Sequence, residues 1–265
     1  MMSNMTKLGF IGTGNMGSAI INGLAKTGFS AEIYAYDKDG EKLAAVPAIP
    51  CGSAPELVAL CKYVLLAVKP QVLGAVLDEI KTSVTNETVF ISICAGISEQ
   101  FIRSHTVPDA KVVLVMPNTP MMLGMGASAM STDDKTTAEE FAFAKSVIES
   151  CGIAEVVPID KMKEIICING SSPAFIYLFA KGFIDYAASV GIDRAAAEEL
   201  FTQSLIGSAK MITDSGNTID ELIKMVSSPG GTTLAGLDKL YEGNLTDVVK
   251  KCCESCTNRA YELSK

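Results

Sequence analysis

Lys7-Leu8-Gly9-Phe10-Ile11-Gly12-Thr13-Gly14-Asn15-Met16-Gly17 is the stretch that decides the fold. A short apolar run of the kind that forms a buried strand passes directly into Gly12-x-Gly14-x-x-Gly17. An amphipathic pattern at helical period then runs from Asn15 to Thr27. Strand, glycine turn and helix in that order open a dinucleotide-binding βαβ unit. Each glycine meets a separate steric demand there: Gly12 the tight turn, Gly14 the approach of backbone to a pyrophosphate, Gly17 the packing of helix on strand. Free N–H groups and the positive end of the helix dipole favour phosphate. Gly12, Thr13, Gly14, Asn15, Met16 and Gly17 are therefore expected to face a dinucleotide.

Strand-length apolar runs alternate with helical patterns through the first 160 residues. Further strands are predicted at 32–36, 63–68, 88–93 and 111–115, with 127–131 and 154–158 extending the sheet. Helices are predicted at 40–46, 54–61, 71–83, 98–104 and 137–151. This alternation implies right-handed crossovers and a parallel, doubly wound α/β sheet of Rossmann type, covered on both faces. After about residue 160 the period changes. Segments 173–190, 194–215, 218–225, 232–242 and 245–263 all read as helices, separated by glycine-rich breaks such as Ser228-Pro229-Gly230-Gly231. The expected division is a dinucleotide-binding domain over 1–160 and an all-α domain over 161–265.

A chain of 265 residues fits one large or two modest domains. Its 22 Lys and Arg against 30 Asp and Glu give a net charge of −8, unlike the basic footprint of a nucleic-acid binder and repelled by anionic membranes. No stretch has the uninterrupted apolar length of a bilayer span, and the N-terminus lacks the apolar core of a signal peptide. The eight cysteines are scattered, several inside apolar runs, as small buried hydrophobes in a reducing compartment would be. A soluble cytoplasmic protein is expected, with no nucleic-acid or membrane partner.

In a doubly wound sheet, ligands lie beyond the carboxyl ends of the strands. Asp37 stands at the end of the second strand, twenty positions after Gly17. An acid there bonds a ribose 2′-OH and disfavours a 2′-phosphate, favouring NAD(H), whereas Lys38 beside it can neutralise a 2′-phosphate. The choice stays open at this point. Ala67-Val68-Lys69-Pro70 and Cys94-Ala95-Gly96 end the third and fourth strands and are expected to border the cofactor. Lys69 either offers charge to an anionic ligand or is an exposed strand-end lysine. Met116-Pro117-Asn118-Thr119-Pro120 follows the fifth strand as a stiff, non-helical loop aimed into the same crevice. Ser227-Ser228-Pro229-Gly230-Gly231-Thr232-Thr233 precedes a helix, where exposed N–H groups meet a positive helix end.

Taken in order from residue 10 to residue 233, F-I-G-T-G-N-M-G, A-V-K-P, C-A-G, M-P-N-T-P, G-S-S-P-A and S-S-P-G-G-T-T closely resemble the pyrroline-5-carboxylate reductases, which complete proline biosynthesis. The resemblance covers essentially the whole chain, and S-P-G-G-T-T together with M-P-N-T-P is highly specific. It implies reduction of the cyclic imine pyrroline-5-carboxylate to L-proline by NADPH, with NADH as the alternative. It also implies homodimers built from intertwined C-terminal helices, often joined into rings of dimers. By the same resemblance, Asn118, Thr119, Gly230, Gly231, Thr232 and Thr233 hold the substrate. Backbone N–H groups from Gly231 to Thr233 take the carboxylate, and the Thr233 hydroxyl serves the imine nitrogen. No metal is implied, and a protonated imine needs no strong acid.

Two positions depart from the family pattern. Ile159, with Asp160 next to it, stands where many relatives carry an acid. Ala54 stands where relatives often carry an Asn near the adenosine, so that contact is either missing or supplied by Ser53. His105, the only histidine, sits away from every motif and reads as a surface or capping residue. Cys253-x-x-Cys256 lies in a predicted helix with no second cysteine pair or histidine nearby, which disfavours zinc. Two other functions fit the fingerprint. A β-hydroxyacid dehydrogenase requires a lysine early in the first helix of the helical domain, and the first one here is Lys181. A nucleotide sensor would bind cofactor without turnover, which the intact S-P-G-G-T-T loop disfavours.

Overall fold

Strand and helix alternate from Lys7 to Val156 in the computed structural model, which describes residues 5–263. In chain order they form β1 (Lys7–Ile11), α1 (Asn15–Thr27), β2 (Glu32–Tyr36), α2 (Gly40–Ala44), β3 (Ile49–Pro50), α3 (Ala54–Leu60), β4 (Tyr63–Leu66), α4 (Pro70–Ile80), β5 (Val89–Ser92), α5 (Glu99–His105), β6 (Lys111–Met116), β7 (Gly126–Thr132), α6 (Ala138–Glu149) and β8 (Gly152–Val156). The strands join in one sheet of order β3-β2-β1-β4-β5-β6-β7-β8. Residues alternate between its two faces, as the period of a strand demands. Leu8, Phe10, Tyr63, Leu65, Val89, Ile91, Val113 and Val115 pack with Ile20, Leu24 and Val147 of α1 and α6. Ile11, Val64, Leu66, Phe90, Val112 and Leu114 pack with Leu57, Leu73, Leu77 and Ile102 of α3, α4 and α5. Burial on both faces explains why β4 and β5 read as unbroken apolar runs.

Three local features differ from the sequence expectation. β7 pairs antiparallel with β6, although the other pairings are parallel. The connection over 117–125 is too short for the crossover that a parallel return requires. Within it, Thr119–Leu123 is a 3-10 turn, not the non-helical loop expected from the two prolines. Pro120 lies in the first turn, where its missing N–H has no helical acceptor to lose. β3, which the sequence did not suggest, is only two residues on the edge of the sheet.

By packing, the chain divides into two units, one running to Pro173 and taking in the chain from Cys256 onward, the other Ala174–Ser255. The period changes near residue 160, yet residues 160–173 stay with the sheet. The Asn169 side-chain amide donates to Met116 O at 2.6 Å and to Ala127 O at 2.9 Å. In the same unit the Tyr261 hydroxyl donates to Glu164 at 2.9 Å, and Lys163 lies 4.6 Å from the Tyr261 ring centre.

The second unit is helical: most of α7 (Ser172–Ser189), then α8 (Arg194–Asp214), α9 (Ile219–Met225), α10 (Thr232–Glu242) and the first part of α11 (Leu245–Leu263). Phe183 stacks on Phe201 with ring centres 4.4 Å apart. Yet Ala187 is the one buried apolar residue among those described in this unit, while Leu178 and Leu200 are about 70% exposed, at 71% and 70%. A helix bundle with so little interior of its own leaves its apolar stripes to be covered by something else.

The sheet carries a buried ionic cluster at the end opposite the strand C-termini. Glu140, 4% exposed, accepts from Lys111 at 2.8 Å, lies 3.2 Å from Lys62, and closes a capping box with Thr137. Burial pushes the Glu140 carboxyl up, but hydrogen bonds from Lys111, the Thr137 backbone and Lys62 outweigh it and hold it at about 2. A carboxyl depressed in the folded state stabilises fully above its unfolded value, near 4.5, and loses that contribution as pH falls toward 2. Glu140→Gln is expected to cost about 2–3 kcal/mol at neutral pH and to flatten the dependence of the urea midpoint on pH below 5. An unchanged slope in that window would remove Glu140 as its source.

Candidate active site

The strand order reverses between β1 and β4, and a cavity of about 420 Å³ opens there at the strand C-termini. Gly12, Gly14, Asp37, Lys38, Ala67 and Lys69 border it. The three glycines of the fingerprint separate cleanly on steric grounds. Gly12 has φ +102°, and a Cβ on it would lie 2.6 Å from Ala67 O. A Cβ on Gly17 would lie 2.3 Å from Gly12 O. Both are required by the fold. At Gly14 the backbone is ordinary, with φ −65°, and a Cβ would meet no protein atom within 4 Å. Nothing in the chain needs a glycine there, and a ligand drawn close to the backbone does. Helix α1 has no side-chain cap and no acid in its first turn, so its opening N–H groups are free for an anion.

Asp37 lines this cavity, but its carboxylate is turned to the protein. Oδ2 accepts from Thr13 N at 2.7 Å and from Thr13 Oγ1 at 3.1 Å, and Oδ1 accepts from Asp39 N at 2.9 Å. Thr13 is buried, and its N–H is taken by this bond. Lys38 and Lys42 stand on the cavity rim, Lys42 paired with Asp39 at 2.7 Å. Ser53 caps α3, where it accepts from Glu56 N at 3.3 Å, and Ala54 next to it borders the cavity. The far wall is α4, through Val72, Ala75, Val76 and Glu79. Sequence reading missed these residues, though their three- and four-residue spacing marks one helix face.

A second cavity, of about 410 Å³, lies beyond the ends of β5 and β6, bordered by Cys94, Gly96, Met116, Ile159 and Asp160. The Cys94 thiol donates to Leu66 O at 3.4 Å and Val68 O at 3.2 Å, which ties the end of β5 to the end of β4. Burial pushes this thiol up to about 11, against the opposing hydrogen bonds of Ser92 and Val68, so it stays protonated. Ala95 is exposed beside it, and Pro70 opens α4 next to Lys69.

Asn118 follows β6 and is held from within the chain. It is buried, its Oδ1 accepts from Ala127 N at 2.9 Å, and its Nδ2 donates to Asn169 O at 3.2 Å. These bonds hold the loop, as a buried amide must find partners. Thr119 is exposed at the start of the 3-10 turn.

In the second unit, α10 begins at Thr232 with Gly231 as its cap, no side-chain cap and no acid in the first turn. Gly230 takes φ +73°. The Gly231 N–H donates to Ser228 O at 2.9 Å and closes the turn. The N–H groups of Thr232 and Thr233 remain, and both residues are exposed. His105 closes α5 at the other end of the sheet, 2.9 Å from Asp78 and against the Phe101 ring. Lys181 pairs with Asp185 on the exposed face of α7. Among the described residues, no cluster of three His, Cys, Asp or Glu side chains is placed to hold a metal.

Residues 160–263 match the family model described as pyrroline-5-carboxylate reductase dimerisation, and residues 7–96 match that described as NADP oxidoreductase, coenzyme F420-dependent. The chain is 32% identical to the pyrroline-5-carboxylate reductase of Escherichia coli K12 over 98% of each. The solved pyrroline-5-carboxylate reductase of Coxiella burnetii superimposes with a TM-score of 0.92 at 29% identity, covering 99% of this chain and 100% of its own. The pyrroline carboxylate reductase of Plasmodium falciparum, solved with NADP bound, covers both chains fully with a TM-score of 0.90 at 28% identity.

The contrast among the glycines yields a paired test. Gly14→Ala is expected to leave the melting temperature unchanged and to weaken dinucleotide binding by about 10-fold or more, which is about 1.4 kcal/mol. Gly17→Ala is expected to destabilise the fold itself by at least about 1–3 kcal/mol, because its Cβ would strike backbone. Thermal melts and cofactor titration of both variants check this, and equal dinucleotide affinity in wild type and Gly14→Ala would empty the cradle of its function.

Proposed function

The chain belongs to the pyrroline-5-carboxylate reductase family, and from that premise we propose how its own residues serve the reaction. The enzyme reduces the cyclic imine L-1-pyrroline-5-carboxylate to L-proline, the final step of proline biosynthesis, with NADPH as reductant. The observation that carries this reading is an uncapped helix N-terminus in each unit, α1 at Gly14 and α10 at Gly231. The reaction has two anionic participants, a dinucleotide and a carboxylate, and such helix ends suit anions without an arginine.

The residues present fit the cofactor, since the Gly14 cradle is open and the α1 N–H groups are free. When bound, NADPH supplies the hydride that the imine carbon accepts. In our reading the α1 N-terminus, from Gly14 through Asn15 and Met16 to Gly17, holds the pyrophosphate. Lys38 and Lys42 face the adenosine end, and Ala67, Val68, Lys69, Cys94, Ala95 and Gly96 line the path toward the nicotinamide. The N–H groups of Thr232 and Thr233 hold the substrate carboxylate, and Thr119 borders the substrate. The Thr233 hydroxyl orients the ring and donates a hydrogen bond at the imine nitrogen. Much of the catalysis is positioning, because a protonated imine is already electrophilic.

The enzyme is a homodimer, which accounts for the uncovered apolar stripes of Ala174–Ser255. We further propose a ring of dimers, to be read from the solution mass by light scattering. Among the described residues no helix is long and apolar enough to cross a membrane. The buried Cys51, Cys61, Cys94 and Cys151, which form no disulfide with one another, suit the reducing cytoplasm, which we propose as its compartment.

Incubation with NADPH and pyrroline-5-carboxylate, followed by the fall in NADPH absorbance, tests the whole reading. Cofactor binding without turnover would make the protein a sensor instead. Thr233→Ala is expected to lower kcat/KM by about 10- to 100-fold, toward the low end of general acid assistance, with cofactor affinity unchanged. Thr233→Ser is expected to retain most activity and Thr232→Ala to be milder than Thr233→Ala. Equal, small effects at both threonines would leave solvent as the proton donor.

A further inference from the structure

An acid at the end of the second strand of a dinucleotide fold ordinarily bonds the ribose 2′-OH and repels a 2′-phosphate. Asp37 occupies that place in a chain that uses NADPH. The geometry around it resolves the conflict, and we infer that Asp37 is a positioning residue for the glycine-rich loop, not a gate against the 2′-phosphate. This inference rests on the reading of the chain as an NADPH enzyme.

An ionised carboxylate offers about four acceptor sites. Asp37 fills three of them from within the chain, with Thr13 N at 2.7 Å, Thr13 Oγ1 at 3.1 Å and Asp39 N at 2.9 Å. Both bonds from Thr13 go to the same oxygen, Oδ2, so the carboxylate is drawn toward the loop between Gly12 and Gly14. Gly12 N in turn donates to Tyr36 O at 2.9 Å, which lays the loop along the exit of β2. Main-chain and side-chain bonds from residues 12 and 13 to residues 36 and 37 thus fix where the loop leaves β1. Bonds to a charged acceptor are stronger than neutral ones, so the carboxylate is the firmer half of this attachment.

The same attachment alters the charge that the cofactor meets. A carboxylate with three donors around it carries less negative potential toward the cavity than one pointing outward. Lys38 and Lys42 border the same cavity. Asp39, the other acid at this turn, is occupied by Lys42 and by the N–H groups of Glu41 and Lys42. The turn after β2 therefore offers Lys38, with Lys42 paired to Asp39 beside it, against two acids that are both engaged internally, a setting that tolerates a 2′-phosphate. Thr13 completes the device. A residue without a hydroxyl at 13 would give Asp37 one bond fewer and leave it freer to swing outward.

The experiment is separate titration of NADPH and NADH into wild type, Asp37→Ala and Asp37→Asn, followed by nicotinamide fluorescence, together with steady-state kinetics. Asp37→Ala is expected to weaken both cofactors by a similar factor, about 10-fold for loss of hydrogen bonds to a charged group. The ratio of the two dissociation constants then stays at its wild-type value. KM for NADPH rises while kcat at saturation holds. Asp37→Asn keeps an acceptor for Thr13 and is expected to restore most of the affinity for both. A gate would behave differently: either substitution would tighten NADPH and weaken NADH, and that result overturns the inference. Should Asp37→Ala fail to fold, the isosteric Asp37→Asn decides alone, since it removes the charge that a gate needs. Wild-type protein that binds neither cofactor would instead count against the NADPH reading itself.

Discussion

The structure depends on one close approach, where the turn after β1 passes the end of β4. Gly12 lies so near Ala67 that a Cβ would come within 2.6 Å of its carbonyl oxygen, and Gly17 lies equally tight against Gly12. Only a chain without side chains at both points can turn from β1 into α1 and still let β4 pair beside β1. The pairing of Leu8, Gly9, Phe10 and Ile11 with Tyr63, Val64, Leu65 and Leu66 puts β4 in the place where the strand order reverses. The cleft that opens there is thus a consequence of the packing that forms the core. Fold and site share a cause.

That shared cause explains what could be read in advance. The glycine fingerprint, the alternation of strands and helices and the change of period near residue 160 are all local, and they yielded the sheet and the helical region directly. Their limits were also local. β3 is two residues long and too short to leave a pattern. The reversal of β7 follows from the length of a connection, which strand periodicity does not encode. Among site residues, Asp37, Lys38 and Lys69 were placed on the cavity by strand ends alone. The hydrogen bonds of Asn118 were not legible because its partners, Ala127 and Asn169, are distant in sequence. The bond from the Gly231 N–H to Ser228 O was not legible for a different reason: it belongs to the geometry of a turn, not to any periodicity.

Charge is distributed along the strands in a way that separates stability from chemistry. The buried Glu140 cluster sits where β4 and β6 begin, with each partner provided by a residue at a strand start or beside it. At the opposite end, where the strands finish, Lys38 and Lys69 are exposed on the cavity rim. A salt bridge that stabilises a fold must be satisfied internally, whereas a binding site needs polar groups still free to meet a ligand. Placing the two at opposite ends of the same sheet lets each be met without weakening the other.

The helical unit makes the complementary argument. With Ala187 as its one buried apolar residue among those described, the helical unit gains little by burial within itself against the entropy of ordering its backbone. Exposed Leu178, Tyr186, Leu200 and Val226 are therefore not surface accidents but an interior awaiting its other half. In a dimer that interior is completed by an identical surface, which is the self-complementary case of a two-fold interface. The consequence reaches the loop before α10. Ser228–Thr233 belongs to the same unit as these uncovered apolar stripes. Binding of a second copy stabilises this unit by mass action, and with it the two N–H groups offered by Thr232 and Thr233.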